Sequence, residues 1–360
     1  MDAFAFEVLE DAKSWNWPIV KRIEQSGNQG KAIVPNLLSC LIKESQALGG
    51  TVLEEFWETV GKCNDKLQDN IKNVTSVPPG QASAILFAGV NKKDINLDPL
   101  FDMAAEYLTH LAVFCAQKDS KHGPARHAQS VISYRWRRTN CALWLTRRVF
   151  VMRKQEALTR LAFERDGTRC VMTGAKFHET LTDVNDFHPN LAHIIPSSIH
   201  GKPDTMKCLA MFAGGSASDS DLKHMNGVGN VANFQSDAHW QYDELRWGIE
   251  AREEGGNVKY IYRRVPYCSD VGPVGIDLRD GDEIQFGGGT KGERLGRGPL
   301  PLLCNIRLAM ARALHMSGAA EVVMQLKVDS DDSDTPHAYV ASDYFLDILD
   351  AKLLLQSIHV

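Results

Sequence analysis

The sequence predicts an α+β protein, in which a small ββα unit is embedded in a mainly helical chain. Three observations carry this. Apolar residues recur at helical spacing through most of residues 1–160. From Arg165 the pattern changes to short apolar runs separated by Gly, Pro and polar stretches, the signature of short strands and turns. Within that second stretch stand, in order, a histidine on a short strand closed by proline (His193), a loop asparagine (Asn230) and a histidine early in a helix (His239). Three regions follow: a mainly helical one over 1–160, the ββα core over 161–265 with an insertion at 199–229, and a strand, loop and helices over 266–360 that pack on the core.

Taken in order, Asn36–Leu48 has apolar residues at helical spacing and stops at Gly49-Gly50. Thr51–Gly61 reads as the next helix, with Thr51 and Glu54 at capping-box spacing. The Pro78-Pro-Gly80 turn precedes a short apolar run, Ala84–Val90, and Pro99–Cys115 is another amphipathic helix. His110 lies inside that helix and reads as a packed or surface histidine. Residues 119–128 form a polar connector, and helix resumes over much of 129–165 with Trp136, Leu143, Trp144, Val149 and Phe150 as core candidates.

Beyond it, Arg165-Asp-Gly-Thr168 reads as a turn, Arg169–Thr173 as a short strand and Leu191–Ile195 as a second, stopped by Pro196. The insertion carries one helix near Pro203–Phe212, and Ser236 or Asp237 would cap a helix beginning near Ala238. Asn257–Val265 alternates like a strand, and Ile284-Gln-Phe286 is its expected partner. The Gly-rich, charged loop 287–298 reads as mobile. Leu300–Ser317 is a helix ended by Gly318, and Tyr344–Leu355 a last one, with the acidic loop Asp329–Asp334 between them. His188, His200 and His224 fall in loops and read as solvent-exposed.

Composition narrows the class. With 360 residues, 44% hydrophobic and 24% charged, the chain can bury a core without disulfide or metal staples. It has no apolar run of about 18 residues, so a membrane span is not expected, and its acidic N-terminus lacks a basic-then-apolar signal. The eight cysteines contain no C-x-x-C pair, which argues for reduced thiols in a cytoplasmic or nuclear setting and against a structural zinc site. Net charge is −5, yet Arg135, Arg137, Arg138, Arg147, Arg148, Arg153, Lys154 and Arg160 crowd one segment against the single acid Glu156. Such a segment either neutralises phosphates, with Arg135, Arg138, Arg147 and Arg148 as the contacts, or forms a solvated helical face.

The chemistry of the three motif residues is specific in kind. A neutral histidine near a phosphate can take a proton from water. An asparagine can fix that imidazole or align the backbone beside it. A metal with few protein ligands keeps positions open for phosphate oxygens. The motifs Arg165-Asp-Gly-x-Arg-Cys-x-x-Thr-Gly174, Ala192-His-Ile-Ile-Pro196, Asn226-Gly-x-x-Asn230 and His239-x-x-Tyr-Asp243 together resemble the HNH (His-Me finger, ββα-metal) endonucleases, in particular the fungal HNH-domain proteins. The resemblance extends through Trp247-Gly-Ile-Glu250, Tyr260-Ile-Tyr262, Pro299–Leu303 and His315–Glu321, covering roughly residues 155–325. It implies His193 as general base, Asn230 as orienting residue and His239 as ligand of a divalent metal such as Mg²⁺ or Mn²⁺. Asp243, one turn on, would share in the ligation or hold His239. Cys170 stands at the family's strand cysteine and reads as a packing thiol, since the partner cysteines of a zinc-binding version are absent.

One position departs from the pattern. Many HNH enzymes carry a metal-ligating Asp, Glu or His just before the general base, whereas this chain has Ala192, a reading that fungal relatives share. His239 would then be left with Asp243 or Asp183. Three readings stand on these residues: an endonuclease acting on nucleic acid, an HNH-like fold turned to acid–base or Lewis-acid chemistry on a small molecule, and a non-catalytic binding protein.

Overall fold

The structure, a computed structural model, describes residues 2–15, 33–74, 78, 80–91, 94–112, 141–177, 188–196, 199, 202–214, 224–265 and 275–320, with backbone alone at 2, 111, 112, 141–153 and 224. It is a mixed, mainly helical fold with two small antiparallel sheets. Helices α1 (Asp2–Ala12), α2 (Ile33–Leu48), α3 (Val52–Lys62), α4 (Asp65–Val74), α5 (Ala82–Leu86) and α6 (Asp98–Ala112) make up the N-terminal part. The periodicity that predicts α2 and α3 is the stripe each one buries: Leu37, Leu38, Leu41 and Ile42 on α2, and Val52, Phe56 and Val60 on α3. The capping box expected at Thr51 is not formed. Thr51 is the N-cap of α3 without a side-chain bond, and its amide donates instead to the Met211 carbonyl at 2.8 Å.

That bond shows where the insertion goes. Its helix α8 (Pro203–Ala213) packs on α2 and α6, in the N-terminal helical layer, burying Cys208, Leu209 and Phe212. His110 on α6 meets Thr205 of α8, Nδ1 to Oγ1 at 3.0 Å, and is the packed histidine the sequence suggested. Between them in the chain runs α7 (Cys141–Asp166), the long basic helix.

Strands β1 (Asn190–His193) and β2 (Val231–Phe234) pair antiparallel, with His193 opposite Val231 and Ala192 opposite Ala232. The sequence reading placed the first strand at 169–173, and the structure corrects this. Gly174, at φ +66°, folds the chain back so tightly that Cys170 bonds both Gly174 and Ala175, leaving a single bridge, Arg169 to Lys176. The true partner, β2, is buried along its whole length and shows no alternation. Helix α9 (Ser236–Asp243) follows directly. Its cap is neither Ser236 nor Asp237 but Gln235, whose side chain accepts from the amides of Asp237 and Ala238.

Strands β3 (Trp247–Glu254), β4 (Asn257–Arg264) and β5 (Glu283–Ile284) form the second sheet, with Tyr260 opposite Ile284 as the sequence suggested. Helix α10 (Pro301–Ser317) lies between α2 and β3, and Gly318 at φ +81° ends it. Gly248 on β3 permits the approach: a Cβ there would stand 2.9 Å from Leu308. Asn305 on α10 bonds both the amide and the carbonyl of Ala251. One hydrophobic cluster consequently runs from Ala5 on α1 through Phe234 on β2 to Ala320.

The loop 287–298 is not the mobile segment its glycines suggested. Gly287 donates to the Asp166 carboxylate, Gly289 to the Arg165 carbonyl and Lys291 to the Glu164 carbonyl, so the loop is laced to the end of α7. The Lys291 ammonium also pairs with Glu164 at 2.9 Å. The glycines serve close approach here: a Cβ on Gly298 would stand 2.6 Å from the Tyr260 ring. Among the described residues no helix is long and apolar enough to cross a membrane. Arg135, Arg138, Asp183, His200, the acidic loop 329–334 and the expected helix 344–355 lie outside the described residues, as do the side chains of Arg147, Arg148 and His224.

Candidate functional site

The β1–β2 pair separates two environments because successive strand residues face opposite ways. Ala192, Ile194, Ala232 and Phe234 point into the main core. Leu191 and Val231 point to α7, where Leu158 and Ala162 pack on Val231, and Asn233 bonds the Thr159 carbonyl. His193 shares that second face, at the end of its strand. It is only 8% exposed. Burial pushes its imidazole down to about 4, and the Lys154 ammonium and His239 act in the same direction. At neutral pH the ring is therefore uncharged and able to accept a proton.

Asn230 is wholly buried and touches backbone. Its Oδ1 accepts from the Ile195 amide at 2.7 Å, and its Nδ2 donates to the carbonyls of Ile195 at 2.7 Å and Met225 at 2.8 Å. The Asn230 carbonyl accepts from the Ile194 amide. Of the two roles open to this asparagine, then, the geometry selects alignment of the backbone just past His193.

The segment around Asn230 is itself tied down. Arg165, fully buried at the end of α7, donates to the carbonyls of Val228 and Val231, both at 2.7 Å, and forms a two-bond pair with Asp166. Gly229 accepts from the Leu300 amide at 2.7 Å. This explains the Arg165–Cys170 motif in physical terms. Arg165 and Asp166 anchor the Asn230 segment and the 287–298 loop, Gly167 turns the chain at φ +89°, and the Cys170 thiol accepts from the Gln235 amide.

Helix α9 carries His239 and Asp243 on one face, four residues apart, with His239 Nε2 3.5 Å from an Asp243 oxygen. The other Asp243 oxygen lies 3.6 Å from Arg307. Arg307, from α10 and 1% exposed, donates to the carbonyls of Tyr242 at 2.8 Å and Ile194 at 3.4 Å, and stacks on the Tyr242 ring. One guanidinium thus joins β1, α9 and the carboxylate beside His239. The helix is seated by an aromatic group, Phe234, Tyr242, Trp247 and Tyr262, and by the Trp247 indole donating to the Ala238 carbonyl.

Comparison with models of protein families, with curated proteins and with solved structures gave no match. The geometry therefore has to be judged on its own. His193, Asn230, His239 and Asp243 gather at one end of the β1–β2 pair. Ala192, the expected ligand position, points into the core and is 1% exposed. Among the described residues no three His, Cys, Asp or Glu side chains group to hold a metal. The donors that the described residues offer are one imidazole nitrogen and one carboxylate oxygen, a set that suits a cation keeping most of its positions for water and substrate.

Sequence reasoning missed Arg307 and Lys154. Arg307 sits on the buried face of its helix between Ile306 and Leu308, and a cation at a core-facing position is a signal in its own right. Lys154 was one of eight basic residues, and only the packing of α7 distinguishes it.

Proposed function

We propose that the chain is an HNH-type, metal-dependent endonuclease that hydrolyses phosphodiester bonds, with His193 as general base and the cation held by His239 together with Asp243. The observation that carries this reading is the junction of a buried, uncharged His193 at the end of β1 with His239 on the helix that follows β2, across a backbone clamped by Asn230. The ordered motifs of the sequence support it independently.

In this reading His193 accepts the proton of the attacking water. Burial keeps His193 uncharged in the free site, and the negative charge of an arriving phosphodiester raises its basicity where the proton must be taken. Asn230 holds Ile194 and Ile195 so that the imidazole keeps its direction. Arg307 restrains Asp243, leaving one carboxylate oxygen turned to His239. When bound, a divalent cation would polarise the phosphoryl group and neutralise charge on the leaving oxygen.

A second reading, chemistry on a small molecule at the same residues, draws on Ala192: its burial leaves two donors among the described residues where the family pattern provides more.

The test is cleavage of supercoiled plasmid, single-stranded DNA and RNA with Mg²⁺, Mn²⁺ or Ni²⁺, comparing wild type, His193→Ala and His239→Ala. Cutting that is lost in both variants supports the endonuclease. Cutting that persists in His193→Ala refutes its assignment as base, and the absence of cutting by wild type directs the search to small-molecule substrates.

A further inference from the structure

Lys154 stands out when the described charges around the site are matched with partners. It lies on α7 one helical turn before Leu158, which packs against the same face of the β1–β2 pair that carries His193. Its ammonium donates to Asn226 Oδ1 at 2.6 Å. Among the described residues no carboxylate lies within salt-bridge distance of it. The two buried arginines nearby are engaged, Arg165 with Asp166 and Arg307 with Asp243.

The lysine is also held in place. Its partner Asn226 directly follows Met225, whose carbonyl accepts from Asn230, and Asn230 clamps Ile195 two residues beyond His193. A half-buried ammonium bonded to a neutral amide retains donors and a full positive charge for a second, anionic partner.

We infer that Lys154, with Asn226 fixing its ammonium, is the ligand for a phosphate oxyanion bound beside His193. The inference rests on the endonuclease reading for what the phosphate does there, but the binding of the anion stands by itself. Lys154 offers a point charge on a flexible stem, which suits an oxygen whose charge changes during reaction. Asn226 is a positioning residue, holding the ammonium through its amide oxygen.

The experiment is calorimetric titration of the metal-free 360-residue chain with two probes at constant ionic strength: inorganic phosphate and a short single-stranded oligonucleotide. Wild type is compared with Lys154→Met, Lys154→Arg and Asn226→Asp. The methionine keeps the apolar stem, so helix α7 stays packed. Lys154→Met should weaken phosphate binding by tenfold or more, with Lys154→Arg recovering part of it. Asn226→Asp leaves the lysine in place but gives it a carboxylate, and should weaken binding to a similar extent. Weakening for both probes identifies a site that reads phosphodiesters, whereas weakening for inorganic phosphate alone identifies one for free phosphate or a monoester. Unchanged phosphate affinity in Lys154→Met, or no phosphate binding by wild type, overturns the inference.

The two proposals fail separately. A wild type that binds phosphate but cuts nothing refutes the endonuclease and leaves the anion site. A Lys154→Met protein that keeps the wild-type phosphate affinity, while His193→Ala no longer cuts, refutes the anion site and leaves the endonuclease.

Discussion

Asn230 is the sharpest place to test how the site is held. Replacing it with alanine strands three buried backbone groups at once: the Ile195 amide, the Ile195 carbonyl and the Met225 carbonyl, each now bonded at 2.7 or 2.8 Å. A buried hydrogen bond contributes about 1 kcal/mol net, and an unpaired buried group costs about 1–3 kcal/mol. Asn230→Ala should therefore destabilise the β1–β2 region by about 3 kcal/mol, more where no water enters the gap. Asn230→Asp sharpens the test. Its carboxylate still accepts from the Ile195 amide, but its second oxygen faces two carbonyls that need donors. That variant should be at least as unstable as Asn230→Ala at pH 7 and should recover as acid protonates the carboxyl, which can then donate one bond. Urea unfolding measures the loss, and hydrogen exchange at the Ile194 and Ile195 amides localises it. A loss below about 1 kcal/mol in Asn230→Ala, or unchanged protection of those amides, would refute the clamp.

Other expectations follow from the same geometry. His193 is held at about 4, below the ordinary 6.5, so the unfolded chain takes up that proton first and stability falls as pH drops from about 6.5 to 4. The loss approaches about 3 kcal/mol at the acid end of that window, and His193→Gln should flatten the dependence in urea titrations at pH 7 and pH 4.5. Arg307→Met leaves Asp243 without its cation and frees two buried carbonyls, which should cost about 3 kcal/mol. Adding Asp243→Asn to Arg307→Met should cost less than the two single losses together, a non-additivity that a double-mutant cycle reads directly. Gly298→Ala forces a methyl against Tyr260 and should cost about 1–3 kcal/mol and speed tryptic cutting at Arg294 and Arg297. Gly296→Ala, which meets only the penalty of its left-handed φ, should cost about 1 kcal/mol.

How much of this was legible in the sequence depends on where each signal is stored. Helices α2, α3, α6, α8 and α10 announce themselves because an amphipathic stripe repeats over several turns, and a glycine at φ +82° or +81° marks the ends of α2 and α10. Strand β2 has four residues, all buried, and no period for the eye to find. The supposed strand at 169–173 has the right residues but is overruled by Gly174. Gln235 caps α9 with a longer side chain than the usual set, and it displaces the two better-looking candidates. The loop 287–298 is the clearest reversal. Its glycines looked like freedom, but at 289 and 298 they are the residues that let the backbone press against α7 and Tyr260.

The site divides along the same line. Identity and order of His193, Asn230, His239 and Asp243 are local and were readable. What each does depends on partners set by packing, Met225 close by and the others more than 30 residues away in the chain. The role of Asn230 follows from Ile195 and Met225, that of Asp243 from Arg307, and that of Lys154 from Asn226. Ala192 shows the limit from the other side. Its residue type alone suggests a missing ligand, yet its register opposite Ala232 places it on the core face, where a carboxylate would be buried among Ile194 and Phe234. A chain with this β1–β2 packing is thus under physical pressure to keep an apolar residue there, and the cation donors proposed for it stand on α9 instead, as His239 and Asp243.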